Sequence, residues 1–370
     1  TNSPFNAFTW TSGLSLSVKQ NLLQGFGIEA TAGDLIIAEH ERQAQQLDHR
    51  NTVAGIDFSI ISAYWQLSLA HEEYRVLQEQ LVTAKLSFDV ATRRKEAGQA
   101  SAIDVLRAES AVASAEQSAI SAAFRVQSAS DDLLSAIHPD FLYGYKMLPN
   151  YKLVLQPRVT KLDDMPEAPA TDLMASIKTA FKNRGDFLAA QERVVASGVR
   201  VRQRENALLP NLNAELKAGS WGFGDSADEA ASDVFAAKNR RIGGVLTFEM
   251  PIANSADEGR KMEAEAQRER SILQLREVET SIIREVVDAA RGMVEEHQKL
   301  QAIAKARDLA KREYEAEEEM QKQGGGSSLN VRQAFGALTR KRLDYARSRV
   351  SLELARLALL RATGQLRQGR

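Results

Sequence analysis

The sequence predicts a mainly α-helical fold with a few β-strands, built from one unit used twice: a strand followed by a long helical hairpin. The first observation behind this is a repeat. Gly98-Gln99-Ala100-Ser101-Ala102-Ile103-Asp104-Val105 and Gly324-Gly325-Gly326-Ser327-Ser328-Leu329-Asn330-Val331 lie 226 residues apart, and the same shift carries Phe88 onto Tyr314, Ala63 onto Ala289 and Ile56 onto Ile282. An ungapped register over a whole helical arm marks an internal duplication. The second is periodicity. Ile56, Ile60, Ala63, Leu67, Ala70, Tyr74, Leu77, Leu81, Ala84, Phe88 and Ala91 alternate spacings of four and three, the seam of a left-handed coiled coil. The third is strict apolar–polar alternation in three short stretches, which reads as β-strand.

Composition narrows the classes of function. Charged residues make up 26% of the 370 and the formal net charge is −1, so nothing points to a nucleic-acid partner. No run of about 18 apolar residues exists to form a transmembrane helix. A β-barrel stays open, because its signal per strand is far weaker. The chain has no cysteine, which fits an oxidising compartment without proving it. The five histidines share no metal-ligand spacing, so no metal or cofactor is expected.

Along the chain, residues 1–137 form the first repeat. Its strand, about 8–20, places Phe8, Trp10, Leu14, Leu16 and Val18 on one face, and Thr9, Thr11, Ser15, Ser17 and Lys19 on the other. That apolar face suits either a second sheet in a soluble sandwich or the lipid around an outer-membrane barrel. Glycines 25 and 27 end the strand, and a helix runs from about 28 to 97, on the order of 100 Å at about 1.5 Å per residue. It turns at the tip 98–105 and returns to about 137, with Ser101 and Asp104 placed to cap the returning helix.

Residues 138–170 hold five prolines and read as an irregular equatorial element. Residues 171–370 form the second repeat. A helix at about 171–207 precedes a strand at about 210–220, whose Glu215 and Lys217 lie opposite Leu212, Ala214, Leu216 and Ala218. Those two charges require water, either bulk solvent or a pore. A long loop at 221–240 leads to a strand at about 242–250, with Glu249 opposite Phe248's face. The second hairpin runs from about 255 to 365 with its tip at 324–331. Shifted by 226, its seam is interrupted by Glu296, Arg307 and Glu317, so the second hairpin is expected to pack less tightly or to touch water, and to be the likelier to move.

The helix and strand at 171–220 have no counterpart before Thr1, and nothing near Thr1 resembles a signal peptide. A longer polypeptide, with one further helix and strand at its N-terminus, is therefore expected. Three strands cannot satisfy both of their faces alone, and long hairpins have no globular core to rest on. Each element asks for copies of itself.

In this order of elements the sequence resembles the TolC-like outer membrane factor family. The carrying residues are the duplicated tips, Phe88 through Gly98, Ser101, Ile103, Asp104 and Val105, and Tyr314 through Gly324, Ser327, Leu329, Asn330 and Val331. Asn183-Arg184-Gly185-Asp186 is similar to the family's Asn-Arg-Pro-Asp, and Leu208-Leu209-Pro210 precedes the strand as it does there. The resemblance implies a homotrimer whose strands join in one outer-membrane β-barrel, continued by a long periplasmic α-helical barrel. It implies that Lys19, Glu215, Lys217 and Glu249 face the lumen. It also implies an adaptor-docking surface at the tips, on Gly98, Ser101, Ile103, Gly324, Ser327 and Leu329, for a periplasmic adaptor (membrane fusion) protein. An inner-membrane pump of RND or ABC type completes the implied assembly.

The family closes its periplasmic mouth with side chains at the tips. The matching positions are Asp104, Arg107, Asn330 and Gln333, of which the last two are uncharged, so closure there would rest on hydrogen bonds. From the residues alone, Asp104 is equally a helix cap or part of a latch between hairpins, and the tip residues equally form ordinary tight turns. The expected function is passive export from periplasm to exterior. The alternative is a soluble coiled-coil scaffold with a small sandwich. An enzyme is not expected: the glycines before Ser327 lack the lysine of a phosphate loop, and His71-Glu72-Glu73 lacks a second histidine.

Overall fold

The structure, a computed structural model, describes residues 10–137, 155–157, 172–252, 254–323 and 325–366. It divides into two compact units, Thr1–Leu47 with Ala189–Val278, and Asp48–Leu188 with Glu279–Arg370. It is mainly helical with one small antiparallel sheet.

The first unit holds the sheet. Strands β1 (Trp10–Asn21), β2 (Asn211–Gly224) and β3 (Asn239–Glu249) pair antiparallel in that order. The register sets Leu14 opposite Ser220, Leu16 opposite Ala218, Val18 opposite Leu216, and Ile242 opposite Ala218 from the other side. Alternation then sends every even-numbered strand residue to one face. Helices α1 (Ile28–Thr31) and the start of α2 (Gly33–Glu96) follow the first strand. They lie beside α5, at Gly185–Ala207, with α4 (Leu173–Asn183) just before it in the chain. Ile37 packs on Ala196 and Val199, and the flanks are tied by His40 to Glu192 at 2.6 Å and Arg202 to Glu29 at 2.7 Å. The turn into α1 is closed by Gly25, at φ +80°, whose amide donates to Asn206 Oδ1 at 2.7 Å.

One expectation fails here. The stretch 221–240 is not a long loop: β2 extends to Gly224, and a short helix α6 (Ala227–Phe235) precedes β3. Ser226 caps it by accepting from the Glu229 amide at 3.3 Å, and Ala230 and Val234, one turn apart, are its buried residues. The helix docks where the strand has no side chains. A Cβ added to Gly222 would stand 1.9 Å from the Ala230 carbonyl oxygen, and one on Gly224 would stand 2.9 Å from Glu229 Cβ. Two buried positions over nine residues are too short a period to separate from a polar loop.

The second unit holds two hairpins. α2 returns as α3 (Ala102–Ile137), and α7 (Ser255–Lys322) returns as α8 (Ser328–Ala362). Along the first seam every position except Ile56 is buried or half-buried. The second seam corrects the expectation of looser packing, because Ile282, Val286 and Leu300 are fully buried. Arg307 stands over the Tyr345 ring with its Cζ 4.0 Å from the centroid, and Glu296 turns to Lys299 at 2.9 Å. A planar guanidinium on an aromatic face fills a seam position as a large apolar group would. Two of the three interruptions are absorbed; at the third, Glu317, one carboxylate oxygen is buried without a hydrogen-bond partner among the described residues, so any weakness of the second hairpin is confined to the turn near its tip.

The two hairpins are joined laterally by Trp65 and Leu69 against Ala346 and Val350. Alongside, the Glu73 carboxylate, only 7% exposed, receives Arg347 at 2.6 Å and Arg125 at 3.5 Å. The helix expected at 171–207 is broken at Arg184, whose backbone is extended. Arg184 binds Asp186 at 2.6 Å and reaches Glu285, while Gly364, at φ +69°, lies against Asn183. Of the element expected at 138–170, only residues 155–157 are described, and the rest lies outside the described residues. There the Leu155 amide donates to Ser130 Oγ at 2.9 Å, and its carbonyl meets His71 Nε2 at 2.9 Å.

Candidate channel surfaces and hairpin tips

The sheet separates two chemistries. Its even face carries Trp10, Leu14, Leu16, Val18, Leu216, Ile242, Leu246 and Phe248, each more than half exposed. Lys19, Glu215, Lys217 and Glu249 all fall on the opposite face. Lys19 stands across from Glu215, and Glu215 pairs with Lys217 at 3.1 Å. Trp221 belongs to the polar face too and lies over Gly13 and Gly219, whose added Cβ atoms would meet its ring at 2.9 and 2.5 Å. Arg241 sits above that ring at 5.8 Å. The two glycines therefore make room for an aromatic on the wet side of the sheet. Sequence alternation shows Trp221 on the polar face, but its seat on glycine is visible only once the strands are in register.

At the tips of the second unit a cavity of about 620 Å³ opens between the two hairpins, with Arg94 and Asp104 from one side and Tyr314, Arg332 and Phe335 from the other. The first tip turns at Gly98, at φ +72°, a conformation glycine adopts without strain. Ser101 Oγ donates to Asp104 Oδ2 at 2.8 Å, the Ser101 amide donates to the same oxygen at 3.2 Å, and the Asp104 amide donates to Ser101 Oγ at 3.2 Å. This reciprocal arrangement is a capping box with aspartate in the acidic position. The Ser101 hydroxyl and amide hold the Asp104 carboxyl below the usual carboxylate range, helped by the charges of Arg107 and Arg332. Arg107 itself stands 3.9 Å from Asp104 and is largely exposed.

At the second tip Ser327 accepts from the Leu329 amide at 3.2 Å. Gly324 lies outside the described residues. Ile103 and Leu329 are exposed, as a protruding contact requires. Val331, Arg332 and Phe335 line the cavity, so Asn330 and Gln333, both exposed, occupy the other face of α8. The four expected gate residues are thus split. Asp104 looks toward the neighbouring hairpin, while Asn330 and Gln333 look away from it. Arg332, Phe335 and the Tyr314–Phe335 ring contact, 5.3 Å between centroids, were not singled out by the repeat. A helical wheel drawn from Val331 would have found Phe335.

Among the described residues no helix is long and apolar enough to cross a membrane, and no His, Asp or Glu cluster could hold a metal. With the duplicated tips and the two-faced sheet in place, the comparison with known families is decisive: the sequence profile described as outer membrane efflux protein matches residues 3–137 and 176–365. The chain belongs to the outer membrane efflux protein family. That family is one of channels and not of enzymes.

Solved structures carry the same fold at low identity. The outer membrane protein VceC of Vibrio cholerae superposes with a TM-score of 0.66 at 15% identity, over 97% of this chain and 87% of that one. The MtrE outer membrane channel of Neisseria gonorrhoeae, in its open state, gives 0.66 at 14%, over 97% and 81%. A membrane protein of Pseudomonas aeruginosa gives 0.66 at 16%, over 97% and 82%. No curated protein sequence matches significantly.

Proposed function

We propose that this efflux protein is the outer-membrane duct of a three-part export assembly, conducting solutes passively from periplasm to exterior. The observation that carries the reading is the sheet: one face presents Trp10, Leu14, Leu16, Val18, Leu216, Ile242, Leu246 and Phe248, all exposed, and the other bears Lys19, Glu215, Lys217 and Glu249. A three-stranded sheet with two open edges and an apolar face covered only at its Gly222–Gly224 end, by α6, is incomplete in water. Copies joined edge to edge around a closed barrel satisfy the edges, put the apolar face in lipid and line an aqueous path with the charges. A homotrimer is the assembly this reading takes, with the helices in the periplasm.

In this reading the tips dock a periplasmic adaptor through Gly98, Ser101, Ile103, Gly324, Ser327 and Leu329, and an inner-membrane pump of RND or ABC type supplies the energy. The exposed Ile103 and Leu329 beside small residues support it, since they let another helix end approach closely. Asn330 and Gln333 face away from the intrachain cavity, a position open to neighbouring copies, and would close the mouth by hydrogen bonds rather than charge. Asp104, Arg107 and Arg332 would link the tips within a copy.

The test is expression of the full-length gene product with its native N-terminus, membrane fractionation, chemical cross-linking and planar-bilayer conductance. Recovery in the outer membrane as a trimer with channel activity is expected. A water-soluble, non-conducting product would favour the coiled-coil scaffold with a sandwich and overturn the reading.

A further inference from the structure

Between α5 and α7, in the first unit, lies a cleft of about 540 Å³ lined by Arg200, Arg204, Arg260 and Arg270, with Glu263 and Gln267. Four guanidinium groups therefore share one cleft with a single carboxylate. Two of the four are already paired outside it, Arg200 with Glu41 at 3.2 Å and Arg260 with Asp257 at 2.7 Å. Among the described residues Arg204 and Arg270 have no carboxylate within ion-pair distance. The sequence spaces Arg200 and Arg204 four apart, so both project from one side of α5. Arg204 and Arg270, without a carboxylate partner among the described residues and beside two further guanidinium groups, carry the uncompensated charge, and an anion in the cleft removes that cost.

We propose that this cleft binds a phosphate group. A tetrahedral oxyanion offers acceptors in several directions and can engage forks from both helices, whereas a carboxylate offers one plane and satisfies one or two. The volume exceeds what a bare phosphate needs and admits the rest of a small molecule or the top of a headgroup. Position narrows the source. Arg204 lies three residues before the end of α5, and Arg260 five residues after the start of α7. At about 1.5 Å per residue both stand within about 8 Å, along their helices, of the ends nearest β2 and β3, and from there the cleft runs along α7 to Arg270, about 22 Å from that helix's start. If the sheet is in lipid, the phosphate layer lies at that level, and a phospholipid headgroup is the occupant. A soluble phosphorylated molecule is the other source of the same chemistry. Binding itself stands on the cleft, and only the lipid source rests on the function proposed above.

The test uses the full chain in a neutral maltoside detergent at about 0.1 M salt, where exposed charges are screened beyond about 10 Å. Two probes are titrated calorimetrically: sodium pyrophosphate and dihexanoylphosphatidylglycerol below its micelle concentration. The double variant Arg204→Gln, Arg270→Gln removes the two unpaired forks, both exposed. The control Lys305→Gln, Arg312→Gln removes the same charge from exposed sites on α7 in the second unit. Saturable binding to the wild type and the control, weakened at least tenfold in the cleft variant, is expected. Tighter binding of the lipid identifies a headgroup site, and equal or tighter binding of pyrophosphate identifies a soluble phosphate. The proposal is overturned if neither probe saturates, if the cleft variant keeps wild-type affinity, or if the control loses as much as the cleft variant. A chain that proves water-soluble still allows the pyrophosphate titration, so the two readings fail separately.

Discussion

Replacing Leu216 by arginine asks the sheet what solvent its apolar face meets. Leu216 sits in the middle of the central strand, between Val18 on β1 and Gly244 on β3, and is 65% exposed. On a surface in water such a change is worth no more than about 0.5 kcal/mol. On the lipid face of a barrel, near the bilayer midplane, an arginine costs about 2–4 kcal/mol, a factor of about 30 to 900 in the folding equilibrium. Depth gives a second reading. Phe248 faces the same side but pairs with Leu212 near the strand end, where an arginine costs about 0–1 kcal/mol. Ser17→Arg, on the polar face, serves as the wet control. The assay is the urea midpoint for refolding into phosphatidylcholine vesicles, read by gel mobility. A large loss is expected at 216, a small one at 248, and at 17 no more than the fraction of about 1 kcal/mol that an arginine across from Lys217 costs. A wild-type midpoint for Leu216→Arg refutes a lipid-facing sheet, and equal large losses at 216 and 248 mean a buried sandwich core.

Three further outcomes follow from the helical unit. Tyr345, 3% exposed beneath Arg307, should lose about 3–5 kcal/mol on truncation to alanine, while Arg307→Leu, which restores an apolar seam, should change thermal stability by no more than about 1 kcal/mol. Gly364→Ala places a Cβ 3.0 Å from Asn183 at φ +69°, and at least about 1 kcal/mol of strain should appear as faster amide exchange around Arg184. For Asp104 the carboxyl is held below its ordinary range when folded. Its stabilisation is therefore complete at neutral pH and is lost as pH falls through the folded value. The protection factors of the amides at 101–105, with the intrinsic pH dependence of exchange divided out, should fall on acidification in the wild type and be low and flat with pH in Asp104→Ala.

Much of this was legible in one dimension. The duplication, the two tips, the seams and the two-faced strands all follow from spacing, because helices and strands repeat side chains at 3.6 and 2 residues. Asp104 as a cap and the shared face of Lys19, Glu215, Lys217 and Glu249 are local or periodic facts of that kind. What depends on two segments meeting was not legible. Arg307 reads as a break in the seam until Tyr345, on another helix, is laid beneath it. The four arginines of the cleft come from two helices, those on one being 56 or more residues from those on the other, and no period connects Arg204 to Arg260. Helix α6 was hidden because its dock is the missing side chains of Gly222 and Gly224. Glycine in a sequence says that space is available. Only the tertiary structure says what fills it, since side-chain contact depends on distance in space and the sequence records only order along the chain.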